Sequence, residues 1–177
     1  MQTIKDLKQY TFPALWKNSL AKFSNRPALS FVNGTPFTYQ QINDKIIQVS
    51  SILQSLGIKK GDRVSIFSTS MPNWGASYFG IVNIGAIAVP LLPDFSTIEV
   101  ESILNHAQVS VMFVAEKLWN KIKDLPESVL PIVIKLDDFT FLRGEPENSE
   151  IKDSSNFEQV EISEDNKLTI KLYILAA

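Results

Sequence analysis

The sequence predicts an α/β fold: a doubly wound, mainly parallel sheet with helices on both faces and a small β-hairpin beside it. Three observations carry this reading. The 30 residues from Val64 to Pro93 contain no Asp, Glu, Lys or Arg. Short β-prone runs alternate three times with helical patterns. Those runs are apolar throughout rather than alternating, as strands covered on both faces are. A membrane span competes for the charge-free stretch, because roughly 20 apolar residues suffice for one. Pro72 and Pro90 would interrupt such a helix. Asn73, Asn83 and the hydroxyls between Ser65 and Ser70 add polar cost. The stretch therefore reads as strand, helix and strand: Val64 to Phe67, Pro72 to Gly85 with Ser70 as N-cap, and Ala86 to Leu92.

The remaining elements follow in order. Thr11 to Asn25 carries Phe12, Leu15, Trp16, Leu20 and Phe23 near a period of 3.6 and predicts a first helix. Pro27 to Val32 reads as a strand, Asn33-Gly34 as a turn and Pro36-Phe37-Thr38 as the returning strand of a hairpin. Thr38 and Gln41 have capping-box spacing. Ile42, Ile46, Val49, Leu53 and Leu56 then mark one helical face, and Gly57 supplies a stop. After the charge-free stretch, Ser96 and Glu99 form a second capping box ahead of Val100, Ile103, Leu104 and Ala107. Val109 to Val114 predicts a strand, Glu116 to Lys123 a short helix, and Pro131 to Lys135 another strand. This places an α/β unit over residues 1–136, an acidic connector over 137–166 and a terminal strand over 167–177.

Composition excludes several chemistries. The chain has 177 residues, no cysteine and one histidine, so thiolate catalysis, disulfides and Cys- or multi-His metal sites are out. Net charge is −2, which gives no field favouring nucleic acid. Asp137 to Asp165 holds ten acids and two bases, leaving +6 on the remainder, and reads as solvated connector. The N-terminus has no apolar signal core, so a cytoplasmic location is expected.

No self-contained catalytic constellation is visible. Gly75 and Gly80 have phosphate-loop spacing, but Ile81-Val82 stand where Lys and Ser/Thr are needed, and both glycines fall inside a predicted helix. They read as small residues at a helix–sheet contact. His106 reads as a surface residue near a helix end. Asp137-Asp138 follow a strand but point apart on an extended chain. Trp74, Tyr78 and Phe79 give one helix an aromatic side, read as core stripe or, more sharply, as the wall of an apolar ligand site.

The order of segments resembles a known family. Thr38-Tyr39-Gln40-Gln41-Ile42 is followed by Leu56-Gly57-Ile58-Lys59-Lys60-Gly61-Asp62-Arg63-Val64. Pro72-Asn73-Trp74 comes next, then Gly80 to Pro93. Together they resemble the N-terminal region of the AMP-forming acyl-CoA synthetases, the adenylate-forming ligases. The Trp74 segment and Ile103-Leu104-Asn105-His106-Ala107 are most similar to the long-chain fatty acid–CoA ligase branch. The resemblance implies the N-terminal subdomain of that fold. For a full-length enzyme it implies a fatty acid, ATP, magnesium and coenzyme A, with acyl-AMP formed before transfer to the thiol.

Glu164 to Tyr173 is similar to the approach to the family's phosphate loop. Ile174-Leu175-Ala176-Ala177 then departs from it. No catalytic, cofactor-binding or metal residue of the family maps onto this chain, and the fragment is expected to be inactive alone and to bind none of these cofactors. Its C-terminal remainder would be the partner. Exposed apolar surface would favour self-association. The resemblance implies that Asn73, Trp74, Pro90 and Leu91 border an acyl pocket. A free-standing α/β module that binds an acyl chain, or one that partners a separate ATP-binding subunit, stays open as the alternative.

Overall fold

The computed structural model describes residues 11–146. Most of the predicted connector and the whole predicted terminal strand at 167–177 lie outside them. The element order is α1 (Phe12–Phe23), β1 (Pro27–Leu29), β2 (Phe37–Thr38), α2 (Tyr39–Ser55), β3 (Arg63–Phe67), α3 (Pro72–Asn83), β4 (Ile87–Leu91), α4 (Thr97–Ala107), β5 (Val111–Val114), α5 (Glu116–Ile122), β6 (Ile132–Lys135) and β7 (Phe141–Arg143). The main sheet has the order β4-β3-β5-β6-β7, and β1 pairs with β2 as a separate antiparallel hairpin. Pairings β3–β4, β3–β5 and β5–β6 are parallel, and β6–β7 is antiparallel.

Residue parity along β3 sorts the core into two halves. Val64 and Ile66 face α2 and α3 and join Val49, Leu53, Ile81, Val111 and Phe113. Phe67 faces the other way and joins Val89, Leu91, Ile103, Leu104, Met112 and Ile122 under α4 and α5. The chain leaves β3 for β4 across one face and leaves β4 for β5 across the other. Travelling in opposite directions on opposite faces is what a single crossover hand requires. The sheet is thus doubly wound, as predicted.

Local chemistry explains the helix boundaries. Both predicted capping boxes are formed: Thr38 with Gln41 opens α2, and Ser96 with Glu99 opens α4. The Ser70 cap is not. Pro72 occupies the first turn, so the N-cap falls on Met71, whose side chain makes no cap hydrogen bond. Gly80 packs closely, as the sequence suggested, but against α2. A Cβ there would lie 2.5 Å from Val49 Cγ1 and 3.1 Å from Ile46 O, and Ser50 Oγ donates to Gly80 O at 3.0 Å. The first hairpin is shorter than the Pro27–Val32 run suggested, and Phe31 and Val32 are exposed beyond β1.

β7 lies inside the stretch read from composition as solvated connector. Its Arg143 donates through Nη1 to Leu125 O at 2.8 Å and Leu130 O at 3.2 Å, and through Nη2 to Lys123 O. The guanidinium also sits 5.5 Å from the Trp119 ring centroid. One side chain therefore ties β7 to the segment between α5 and β6. The β6–β7 turn is tied as well. Asp138 Oδ2 pairs with Lys135 Nζ at 2.7 Å, and Asp138 Oδ1 accepts from Thr140 Oγ1 and N at 2.7 and 3.1 Å. These contacts, led by Lys135, hold the Asp138 carboxyl at about 2.

Two outcomes follow. Gly80→Ala should lower stability by about 1–3 kcal/mol, because Val49 and a helix carbonyl must move. Gly75→Ala meets only the mobile tip of Leu29, at 3.1 Å. It should gain up to about 1 kcal/mol from helix propensity. Urea denaturation of both variants beside the parent checks the contrast. Because the folded pKa of Asp138 lies below the unfolded value of about 3.9, its contribution is present above pH ~4 and lost as pH falls towards 2. The gap between the denaturation midpoints of the parent and Asp138→Asn should be open at pH 7 and close over that window. A gap independent of pH would contradict the ion-pair origin.

Candidate functional site

In an open parallel sheet, ligands bind outside the carboxyl ends of the strands where the winding direction reverses. Here that point lies between β3 and β5. The surface around it is built from the β3–α3 turn, the β4–α4 loop, the start of α5 and the β6–β7 turn. Each piece is fixed by a specific contact.

Asn73, in the first turn of α3, is buried, and its Nδ2 donates to Leu136 O and Asp137 O, both at 2.8 Å. The side chain thus clamps the exit of β3 to the exit of β6. Asp137 Oδ2 accepts the Glu116 N–H at 2.8 Å and closes the first turn of α5. The adjacent acids Asp137 and Asp138 therefore do separate structural tasks. Phe139 takes a positive φ of 64° with its ring buried edge-on against Phe113 at 6.2 Å. A bulky residue holds that backbone only when packing over-determines it. The β4–α4 loop is held by Lys121, whose Nζ donates to Pro93 O and Phe95 O at 2.9 and 3.0 Å and lies 5.9 Å from the Phe67 centroid.

Against this frame stands an aromatic wall. Trp74 stacks on Tyr78 at 5.5 Å and 5° between planes. Tyr78 meets Phe12 edge-on at 6.1 Å and Phe79 at 5.9 Å. The Tyr78 residue is 8 % exposed and its hydroxyl is buried without a hydrogen-bond partner. Burial raises its pKa, so it stands as a neutral phenol.

The four residues named from sequence do not form one continuous surface. Asn73 and Trp74 share the first turn of α3. Pro90 aligns with Ile66, on the α3 side of the sheet. Leu91 aligns with Phe67 and is buried in the opposite core under α4, while its neighbour Leu92 is 62 % exposed. His106 is exposed in the last turn of α4, at the other edge of the sheet. Pro90 also has an edge role. The Ile87 N–H donates to Asp62 O, so the missing N–H of Pro90 falls on the open side of β4, where it weakens pairing with a foreign strand.

The described residues do not fit a nucleotide phosphate. Pro72 removes one donor from the α3 N-terminus, and the Trp74 N–H donates to Met71 O. Gly75 and Gly80 lie inside α3 rather than in a turn. Among the described residues no group of three acidic or histidine side chains is placed to hold a metal ion, and no helix is long and apolar enough to cross a membrane.

Known proteins share stretches of this sequence and its fold. A long-chain-fatty-acid–CoA ligase of Bacillus subtilis is 32 % identical over 115 residues, which is 65 % of this chain and 20 % of that protein. Fatty acyl-CoA synthetase A of Dictyostelium discoideum is 29 % identical over 100 residues, covering 56 % and 15 %. This chain thus spans about a fifth or less of the length of these relatives. Among solved structures, the anthranilate CoA ligase AuaEII with anthranoyl-AMP superposes with a TM-score of 0.67 at 26 % identity, covering 76 % of this chain and 26 % of that one. A fatty acid AMP ligase from Legionella pneumophila shares the fold, with a TM-score of 0.72 at 19 % identity over 92 % and 28 % of the two chains. Residues 16–173 match the AMP-binding enzyme family, and the chain belongs to it.

Proposed function

We propose that this chain forms the N-terminal subdomain of a fatty acid–CoA ligase, an enzyme that activates a carboxylic acid with ATP and passes the acyl group to coenzyme A. The observation that carries the reading is the Trp74–Tyr78 stack at the carboxyl edge of the sheet, set in a chain 32 % identical to a long-chain-fatty-acid–CoA ligase. The role assigned to this edge is passive. It supplies an apolar wall, with Trp74 and Pro90 on the α3 side, against which an acyl chain lies. Asn73 acts as a positioning residue, holding α3 to the β6–β7 turn. Leu91 supports the wall from the opposite core rather than touching the ligand.

ATP, magnesium and coenzyme A belong to the rest of such an enzyme, because the described residues offer no phosphate cradle. Apolar groups left open here, such as Phe31 and Leu92, would meet that remainder or a second copy. A cytoplasmic setting suits this chemistry.

Two measurements test the reading. The purified 177-residue chain should give no acid-dependent ATP–pyrophosphate exchange. Replacing the corresponding segment of the Bacillus subtilis ligase with Thr11 to Arg143 should give an active chimera. In that chimera Trp74→Ala should raise KM for long acids about tenfold or more, with KM for ATP unchanged, since stacking and burial of an acyl chain are worth about 1–3 kcal/mol. Exchange by the isolated chain, or a chimera indifferent to Trp74, would count against it. Saturable binding of a long-chain acid by the isolated chain would favour the free-standing module instead.

A further inference from the structure

A half-open groove lies away from the carboxyl edge, in the seam between α1, α2 and α3. It holds about 230 Å³. Its walls are the Trp16 indole, Leu20, Ile46, Ile47 and the Phe79 ring, with Trp16 and Phe79 centroids 5.0 Å apart. Its lining holds one charged group, Lys17. Asn43 also lines it and accepts the Trp16 indole N–H through Oδ1 at 3.2 Å, which leaves its amide N–H groups for an acceptor in the cavity.

Charge decides the ligand class. From Thr11 to Asn43 the chain carries Lys17, Lys22 and Arg26 and no acid. The next acid, Asp44, accepts from Gln40 on the exposed side of α2. The lining thus combines an apolar body with one cation, Lys17, and the Asn43 amide, while Asn83 donates its own amide to Ser50 Oγ at 3.4 Å, an arrangement that suits an amphipathic anion. We propose that the seam binds a small apolar monocarboxylate, with its tail between Trp16, Ile47 and Phe79 and its carboxylate on Lys17 and Asn43. The volume suits an acid of octanoate or phenylpropionate size rather than a long acyl chain. No residue of α1 is fully buried. A ligand touching α1, α2 and α3 together therefore strengthens the docking of α1, by binding only its docked state.

The test is an NMR titration of the full chain with sodium octanoate, reading the indole N–H signals of Trp16, Trp74 and Trp119. The Trp16 signal should shift saturably while Trp119 stays fixed, and amide exchange in α1 should slow. Lys17→Gln should weaken binding by about two- to fivefold, the value of an ion pair made by an exposed lysine. Ile47→Trp, which fills a partly exposed wall, should abolish it. Equal binding of octanol would overturn the assignment of an anion. A response at Trp74 without Trp16 would place the acid at the carboxyl edge and overturn this site. So would a Trp16 shift that survives Ile47→Trp in a variant with parental signal dispersion, or no saturable shift at all.

Discussion

Burial of β3 on both edges and both faces is the constraint on which the other elements depend. Val64, Ser65, Ile66 and Phe67 are all fully buried, and the strand pairs with β4 on one side and β5 on the other. The enclosed residues of such a strand carry no charge, β3's one charged residue, Arg63, standing at its partly exposed start, and the flanking helices must present continuous apolar faces. Close approach has a polar cost. The hydroxyls of Ser51, Ser65 and Ser77 are buried without partners. Each such group costs about 1–3 kcal/mol, which the burial around them offsets. Small side chains at these points let the layers approach, as Gly80 shows most directly against Val49.

Features written in local periodicity were legible in the sequence. The helical stripe from Ile42 to Leu53, both capping boxes and the apolar strand runs need only near neighbours, so composition and spacing reveal them. The ties that hold the layers are not local. Arg63 reaches Ala107 O with Nε at 2.8 Å, 44 positions away, and Asn73 reaches Leu136, 63 positions away. Nothing near Arg143 in sequence shows that it binds three carbonyls, and a three-residue strand among acids gives no periodic signal. The cap at Met71 was legible in principle, since a proline opening a helix fixes the residue before it. So was the separation of Pro90 from Leu91, because adjacent strand residues face opposite sides. Pro90 and Leu91 cannot line one surface.

The carboxyl edge is pinned from several directions. Its backbone is rigid there: Asn73 joins two strand exits, Lys121 holds the loop after β4, and the Asp138 turn is locked. Rigidity with few free polar groups suits a surface that positions an apolar substrate rather than reacting with it. Catalysis by electrostatic preorganisation needs donors aimed at developing charge. The Asn73 and Lys121 donors here are already spent on backbone carbonyls.

The two apolar surfaces of α3 are physically joined. Phe79 contacts Trp16 in the helix seam. Phe12 touches both Phe79 and Tyr78, at 5.9 and 6.1 Å, and Tyr78 stacks on Trp74 at the carboxyl edge. Contiguity alone transmits nothing; coupling needs an element with two arrangements that both sites bias. The element that joins the two surfaces is α1. It carries Phe12 and Trp16, has no fully buried residue, and is held to α2 and α3 chiefly by ring contacts and one indole hydrogen bond. Elements with little buried surface open at low free energy. Undocking α1 would remove Phe12 from the edge of Tyr78 and loosen the support beneath Trp74.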